Sequence, residues 1–394
     1  MAEIFSFTVN QIAKKIKEGK ISSVELCKLY IERINKFEKD VKAWAYFDKK
    51  ILLEKAEEAD NYRKSGKSLG VLHGIPVALK DIIGTYDMPT ECGTVLRKGV
   101  KSQDAEIVDL LKSEGAIIMG KTATSELAFL GPPLTKNPHD YSRTPGGSSS
   151  GSAAAIAAHM APLSIGSQTG GSVIRPASYC GVVGYKPSYG LISRNGVLRT
   201  SYRLDHIGVF GKTVEDVALL AKVLIQKDSY DDATIHYSTE DIMEHCKKKP
   251  LFDPKFIFYK TDSWKKVDKK SKNKLSKEMQ AAISRGLKYS AKDYAEAIDF
   301  MQRSYESYKE VFEDYHGVLS PCSTGVADKG LKSTGSADFN KVWSYMGVPS
   351  ISLPLLQGEN NLPLGVQLIG DKYDDLRFLG IANWLEKESK KHYA

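Results

Sequence analysis

The sequence has little of what marks several large classes of protein. Its 394 residues hold only five cysteines, Cys27, Cys92, Cys180, Cys246 and Cys322, scattered and never in a C-x-x-C pair. An odd, dispersed set excludes a disulfide framework and a cysteine-built zinc site, and it fits a reducing cytoplasm. No apolar run is long enough to span a bilayer, so no membrane partner is expected. The start, Met1-Ala2-Glu3-Ile4-Phe5-Ser6-Phe7, lacks the basic-then-apolar pattern of a secretion signal. A cytoplasmic chain is the expectation. No internal repeat is present.

Positive charge is in excess, but mainly in one place. Much of the formal +8 lies in Lys265-Lys266-Val267-Asp268-Lys269-Lys270-Ser271-Lys272-Asn273-Lys274. Aromatic residues that would stack on bases are missing there, so the stretch reads as a solvated helix or loop. No nucleic-acid partner is expected.

What the chain does have is alternation. Residues 1–65 read as helical: Ser22-Ser23-Val24-Glu25 fits a capping box, and Leu26, Tyr30, Ile34 and Phe37 then recur at helical spacing. From about residue 71, strand patterns (71–79, 116–119, 182–185, 256–259, 317–321, 349–354, 365–369) alternate with helical ones (105–113, 153–158, 214–224, 279–312 and a final helix). This order predicts an α/β fold, a mixed β-sheet core covered by helices on both faces.

The most informative stretch is Gly166-Ser167-Gln168-Thr169-Gly170-Gly171-Ser172-Val173-Ile174-Arg175-Pro176-Ala177. Paired glycines admit backbone conformations closed to other residues and leave successive N–H groups open to an anion. A hydroxyl directly after them supplies nucleophile and oxyanion hole in one piece of chain, as acyl transfer requires. Upstream lies a serine-rich turn, Gly146-Gly147-Ser148-Ser149-Ser150-Gly151-Ser152. Further up, a lone lysine ends the apolar run Gly74-Ile75-Pro76-Val77-Ala78-Leu79-Lys80-Asp81. Two serines and a lysine, with no histidine in any of the three segments, point to a Ser–Ser–Lys hydrolase. The end of an apolar strand suits a base of lowered pKa, and Asp81 would point to the opposite face. A plain strand-end cation at Lys80 and a turn serine at Ser148 are the structural alternatives.

Two other motifs match in letters only. Gly115-Ala116-Ile117-Ile118-Met119-Gly120-Lys121-Thr122 spells a P-loop, but a helix precedes it and an apolar strand stands where the phosphate-cradling loop should be. Gly147-Ser148-Ser149-Ser150-Gly151 spells a nucleophile elbow, yet the Pro-containing passage before it cannot be a central strand.

Taken together, these segments resemble the amidase signature family. Its hallmark, roughly G-[ST]-D-T-G-G-S-[IV]-R-x-P-A then G-x-x-G-x-K-P-[ST], is met by residues 166–188, and its upstream blocks G-I-P-x-x-[LV]-K-D and P-G-G-S-S-x-G-S-A-A-A by 74–81 and 145–155. Gly120-Lys121-Thr122 and Leu362-Pro363-Leu364-Gly365-Val366-Gln367 extend the likeness over nearly the whole chain, which is read as a single domain, 1–394. In motif detail it is most similar to the malonamidases of that family, in Gln168 and in one extra residue before Arg175.

The resemblance implies an amidase without metal or cofactor. It would hydrolyse a small carboxamide, in the malonamidase-like register one bearing a free carboxylate such as malonamate, to the acid and ammonia. It implies Ser172 as acyl nucleophile, Ser148 as bridging serine in a cis peptide and Lys80 as base. The N–H groups of Thr169, Gly170, Gly171 and Ser172 would form the oxyanion hole. Arg175 is read as substrate-binding, its planar fork suiting a carboxylate, against the alternative of an arginine tied to a buried acid of the scaffold. The partners expected are the small-molecule amide and, at most, a second copy of the chain. The alternative function is the amidase component of a tRNA-dependent amidotransferase; a non-catalytic binding protein ranks last, since all three catalytic residue types are present. There are two departures from the family pattern. Residues 226–278 look short, and Gln168 replaces the usual Asp, removing any contact that needs a carboxylate there.

Overall fold

The N-terminal helices begin where their end signals place them. A computed structural model describes residues 2–250, 254–258 and 291–393, so the lysine-dense stretch 265–274, most of 226–278's second half and the start of the helix expected from residue 279 lie outside the described residues. Helix α1 (Val9–Lys17) starts at a capping box of Thr8 and Gln11, and α2 (Ser23–Val41) at the expected one of Ser22 and Glu25. Each reciprocal pair satisfies N–H groups that helix geometry leaves open. Leu26, Tyr30 and Ile34 are buried, and Phe37 packs half-buried against the same core. Helix α3 (Lys49–Lys64) follows.

Ten strands of the described residues form one mixed sheet. They are β1 (Trp44–Tyr46), β2 (Pro76–Lys80), β3 (Ile117–Thr122), β4 (Leu163–Gln168), β5 (Val183–Lys186), β6 (His206–Gly211), β7 (Phe256–Phe258), β8 (Gly317–Pro321), β9 (Ser350–Gln357) and β10 (Pro363–Ile369). Their order is β1-β3-β2-β4-β6-β5-β9-β10-β8-β7. β2 runs parallel to both β3 and β4, β7 runs parallel to β8, and the remaining neighbours are antiparallel. The α/β expectation of a mixed sheet with helices holds.

Three strands escape the sequence patterns. β1 is too short to alternate and sits inside the region read as helical; its antiparallel pairing with β3 makes it a strand. β4 and β6 are central and buried on both faces, so neither shows a polar–apolar period. β4 reads Leu-Ser-Ile-Gly-Ser-Gln, and close packing rather than hydrophobicity puts it in the middle. A side chain at Gly166 would begin 2.6 Å from Ser149 Oγ and 2.7 Å from the Phe210 ring. The strand expected over 71–79 begins only at Pro76, after a turn, and the one expected over 116–119 runs on to Thr122.

Helices cover both faces. On one, α5 (Ser150–Ala157) and α6 (Ile174–Cys180) pack on each other and on the central strands. On the other, α7 (Val214–Leu224) lies over β4, β5 and β6 and joins α4 (Glu106–Ser113), α8 (Ile242–Lys247) and the C-terminal helix (Asp375–Tyr393). α9 (Ala291–Asp314) and α10 (Lys341–Met346) pack together nearer the β8 edge, and the C-terminal helix is α11. No described helix is long and apolar enough to cross a membrane.

One consequence sets up the site. β2 and β4 are parallel neighbours, so their carboxyl ends lie side by side, the usual place for ligands in such sheets. The turns leading into α5 and α6 come to the same place. α5 is nearly all small residues, and its approach is so close that a side chain at Gly151 would start 2.1 Å from the Ala43 carbonyl oxygen and 2.4 Å from the Ala123 nitrogen. Both are backbone atoms that cannot swing aside. Gly151→Ala is therefore expected to lower unfolding free energy by about 1–3 kcal/mol, read as a lower urea midpoint at unchanged slope. An unchanged midpoint would show that α5 does not seat as tightly as this contact requires.

Candidate active site

Lys80, the last residue of β2, is fully buried. Its Nζ donates to Ser148 Oγ at 2.7 Å and to Ser167 Oγ at 2.9 Å. Ser148 is 3% exposed and follows a cis peptide, Gly147–Ser148. Its carbonyl accepts from the Ser125 N–H at 3.1 Å. Ser172 stands part-exposed in the turn between β4 and α6. Lys80, Ser148 and Ser167, distant in sequence, are thus bonded together at one strand end.

Three lysines among the described residues are fully buried: Lys80, Lys121 and Lys186. Desolvation lowers all of them, Lys80 and Lys186 to about 7 and Lys121 to about 8. A lowered pKa alone therefore does not single out Lys80. The partners do. Lys186 donates to the carbonyls of Pro187 and Val348, and Lys121 to the Ile83 carbonyl and to Thr90 Oγ1, whose own proton goes to Ile83. Only Lys80 is held solely by serine hydroxyls, groups that can give a proton as well as accept one. Asp81 does turn away: it accepts from the Glu91 and Gly93 N–H groups at 3.0 and 3.4 Å and lies in the field of Lys121, its own carboxyl pushed up to about 6 by burial. Against the burial of Lys80 stands the opposing field of Asp205.

The sequence reading missed Ser167. A signal was there, since period two on β4 puts Ser167 on the face opposite Gly166 and Gln168, but with β4 unrecognised that period had no strand to act on.

Gln168 explains why a carboxylate is not needed at its position. Fully buried at the end of β4, it accepts through Oε1 from the N–H groups of Val173 (2.8 Å) and Ile174 (3.1 Å). These are open donors at the start of α6, and one carbonyl oxygen serves both. Among the described residues, none accepts from the N–H groups of Gly170, Gly171 or Ser172. Gly171 has no room for a side chain, which would start 2.6 Å from Asn340 Oδ1. Thr169 is tethered through its hydroxyl to Asp205 Oδ1 at 2.5 Å.

Arg175 is 6% exposed; Nη2 donates to the Gly147 carbonyl and to Thr334 Oγ1, and Nε has no partner. The alternative of an arginine clamped by a buried acid does not match this arrangement. Asp328 and Asp338 reach it through their fields, and among the described residues no carboxylate lies within ion-pair distance. No group of three or more His, Cys, Asp or Glu among them is placed to hold a metal. Chemically, the arrangement brings an amine that can be neutral near pH 7, two hydroxyls on it, and a part-exposed serine beside unbonded N–H groups.

A family model described as Amidase matches residues 25–281 and, in a second segment, 238–379. The chain belongs to the amidase family. One of the A subunits of glutamyl-tRNA(Gln) amidotransferase in Clostridium acetobutylicum, the second of its kind by name, is 32% identical to this amidase over 478 aligned residues, spanning 98% of this chain and 100% of that protein. The crystal structure of the corresponding A subunit from Thermotoga maritima superposes with a TM-score of 0.78 at 28% identity, covering 97% of this chain and 95% of the other. That of the native peptide amidase from Stenotrophomonas maltophilia gives 0.80 at 24% identity over 97% of each, a likeness of fold. The 478 aligned positions exceed the 394 residues of this amidase, so the Clostridium protein carries residues without a counterpart here.

These relatives correct one expectation. By their names they are subunits of an amidotransferase of glutamyl-tRNA, which overturns the expectation of a small-molecule amide alone with no nucleic acid. That expectation rested on the charge of one stretch. Surface charge tests direct contact and says nothing of an RNA reached through another protein of a complex.

Burial of Lys80 sets a pH-dependent cost. The folded value of about 7 lies below the ordinary 10.5, so the penalty for an ammonium at this position is full below pH 7 and fades as pH rises towards 10.5. Lys80→Met is expected to be folded and at pH 6 at least as resistant to urea as the parent, the gap narrowing between pH 7 and 10. A variant that loses more stability at pH 6 than at pH 10 would contradict this account of the site.

Proposed function

We propose that this amidase is the ammonia-releasing component of a tRNA-dependent amidotransferase and acts through an acyl-enzyme on Ser172. The relationship that supports the assignment is the 32% identity, over 98% of the chain, to one of the A subunits of such an enzyme. The chemistry rests on one observation, the 2.7 Å hydrogen bond between Lys80 and Ser148. With its pKa near 7, Lys80 is in large part neutral at physiological pH and takes a proton from Ser148. Ser148 takes one in turn from Ser172 as Ser172 Oγ attacks the amide carbonyl. Negative charge then develops on the carbonyl oxygen, and the N–H groups of Thr169, Gly170, Gly171 and Ser172 receive it. The proton returns through Ser148 to the leaving nitrogen, ammonia departs, and water releases the acid by the same relay. Ser167 holds the second hydrogen of Lys80 and keeps Nζ aimed at Ser148.

Arg175 favours an amide that carries a carboxylate. A buried guanidinium with an unpaired Nε and, among the described residues, no acid in ion-pair range is costly, and a substrate carboxylate would offset that cost. The same observation supports the second reading, a self-sufficient amidase for acid amides such as malonamate.

Two measurements test these readings. Ser172→Ala is expected to reduce ammonia release by at least about 10³-fold with the fold intact, because members of a proton relay act as a unit; near-parental turnover would end the mechanism. Arg175→Ala is expected to reduce turnover of carboxylated amides at least about thirtyfold more than that of neutral propionamide, as for loss of a desolvated charge pair. Equal loss on both would make Arg175 a support for the Gly147 carbonyl only. Ammonia release that rises on adding the other amidotransferase subunits favours the first reading over the second; full activity of the chain alone reverses that preference.

A further inference from the structure

Ser344, on α10, lies 174 residues from Gly170 in sequence, yet it touches the turn that carries Ser172. Its Oγ accepts from Gln168 Nε2 at 2.9 Å and donates to the Gly170 carbonyl at 2.9 Å; the Asn340 carbonyl, at 3.3 Å, is a longer alternative. Ser344 is 1% exposed, as is Gln168, so water does not substitute for these bonds.

The direction of the bonds is determined. Which end of a glutamine amide is oxygen must be decided from its neighbours. Here the neighbours decide it: Val173 and Ile174 present N–H groups to one end, so that end is the oxygen. The NH₂ end therefore faces Ser344. Since NH₂ can only donate, Ser344 Oγ must accept from it, and the hydroxyl hydrogen is left for the Gly170 carbonyl. Gln168 and Ser344 thus grip the turn at two places, its N–H groups past Ser172 and its carbonyl at Gly170. Because C=O and N–H point opposite ways across one trans peptide plane, holding the Gly170 carbonyl on the α10 side turns the Gly171 N–H of the same peptide away from α10. A glutamate at 168 would work differently. Both its oxygens accept, so it would take the Ser344 proton for itself and release Gly170.

We propose that Ser344 is a positioning residue for the oxyanion-binding turn, its hydroxyl proton directed onto Gly170 by the amide of Gln168. The inference rests on the reading of Ser172 as nucleophile. Bonds that order the turn matter most when charge develops on the substrate oxygen, so their loss falls on kcat rather than on KM.

The test uses the full chain and the amide that the parent hydrolyses fastest in the ammonia assay. Ser344→Ala is expected to lower kcat at least about tenfold with KM within about twofold. Its activity–pH midpoint should stay at the parental value, because Lys80 is untouched. Gln168→Glu is expected to give a similar loss, and the Gln168→Glu/Ser344→Ala double variant no more than Gln168→Glu alone, since both disable one clamp. Should Gln168→Glu fail to fold, the kcat–KM split of Ser344→Ala decides by itself. Parental kcat in Ser344→Ala, or equal damage to kcat, KM and thermal stability, would overturn the proposal. Activity surviving in Ser172→Ala would instead overturn the reading beneath it, so the two failures are distinct.

Discussion

Burying an amine at the end of β2 is the constraint to which the rest of the site answers. In water Lys80 would hold its proton at any physiological pH. Removed from water, with no carboxylate bonded to it, it loses that proton near 7. Such burial has to be built. It takes β3 and β4 on either side of β2, and α5 pressed down by its small residues until Gly151 meets the Ala43 carbonyl. It also takes hydroxyls rather than acids as partners, because a carboxylate within bonding distance would restore the ammonium. Asp81 is adjacent in sequence and harmless because a pleated strand turns it to the other face, where it serves the loop at Glu91 and Gly93.

Lys121 and Lys186 show what the constraint is not. Both are as buried as Lys80 and comparably lowered. They donate to backbone carbonyls outside the strands, Ile83 for one and Val348 for the other, and the Thr90 hydroxyl that Lys121 also meets gives its own proton to Ile83, so both lysines join segments of the fold. Buried lysine is thus used in two ways in one molecule, and the chemistry of the acceptor separates them. A carbonyl only receives, whereas a serine hydroxyl can pass a proton on.

The turn after β4 is the second half of the site, and it is ordered from outside itself. Gln168, Asp205, Asn340 and Ser344 each approach a different part of it, from β4, from the segment before β6 and from α10. The substitution of glutamine for the family's usual aspartate belongs to this arrangement. An amide satisfies the two N–H groups of the helix start with one atom and leaves a donor for Ser344, which a carboxylate could not supply.

The sequence by itself determined the chemistry available and the general class of fold. Order and spacing of Lys80, Ser148 and Gly170-Gly171-Ser172 were legible because acyl transfer needs those types in short, glycine-marked segments, and end signals such as Ser22 and Glu25 act locally. Periodicity failed at β4 and β6, since a strand buried on both faces has no polar side to reveal it, and at β1, where pairing with β3 alone makes the strand. Only the tertiary structure decided that Ser167 shares Lys80 with Ser148, that Asp81 does not, and that Arg175 meets a carbonyl instead of an acid. Those facts depend on which side chains meet across the sheet and on which of their atoms water no longer reaches. Neither quantity is a property of any single stretch of chain.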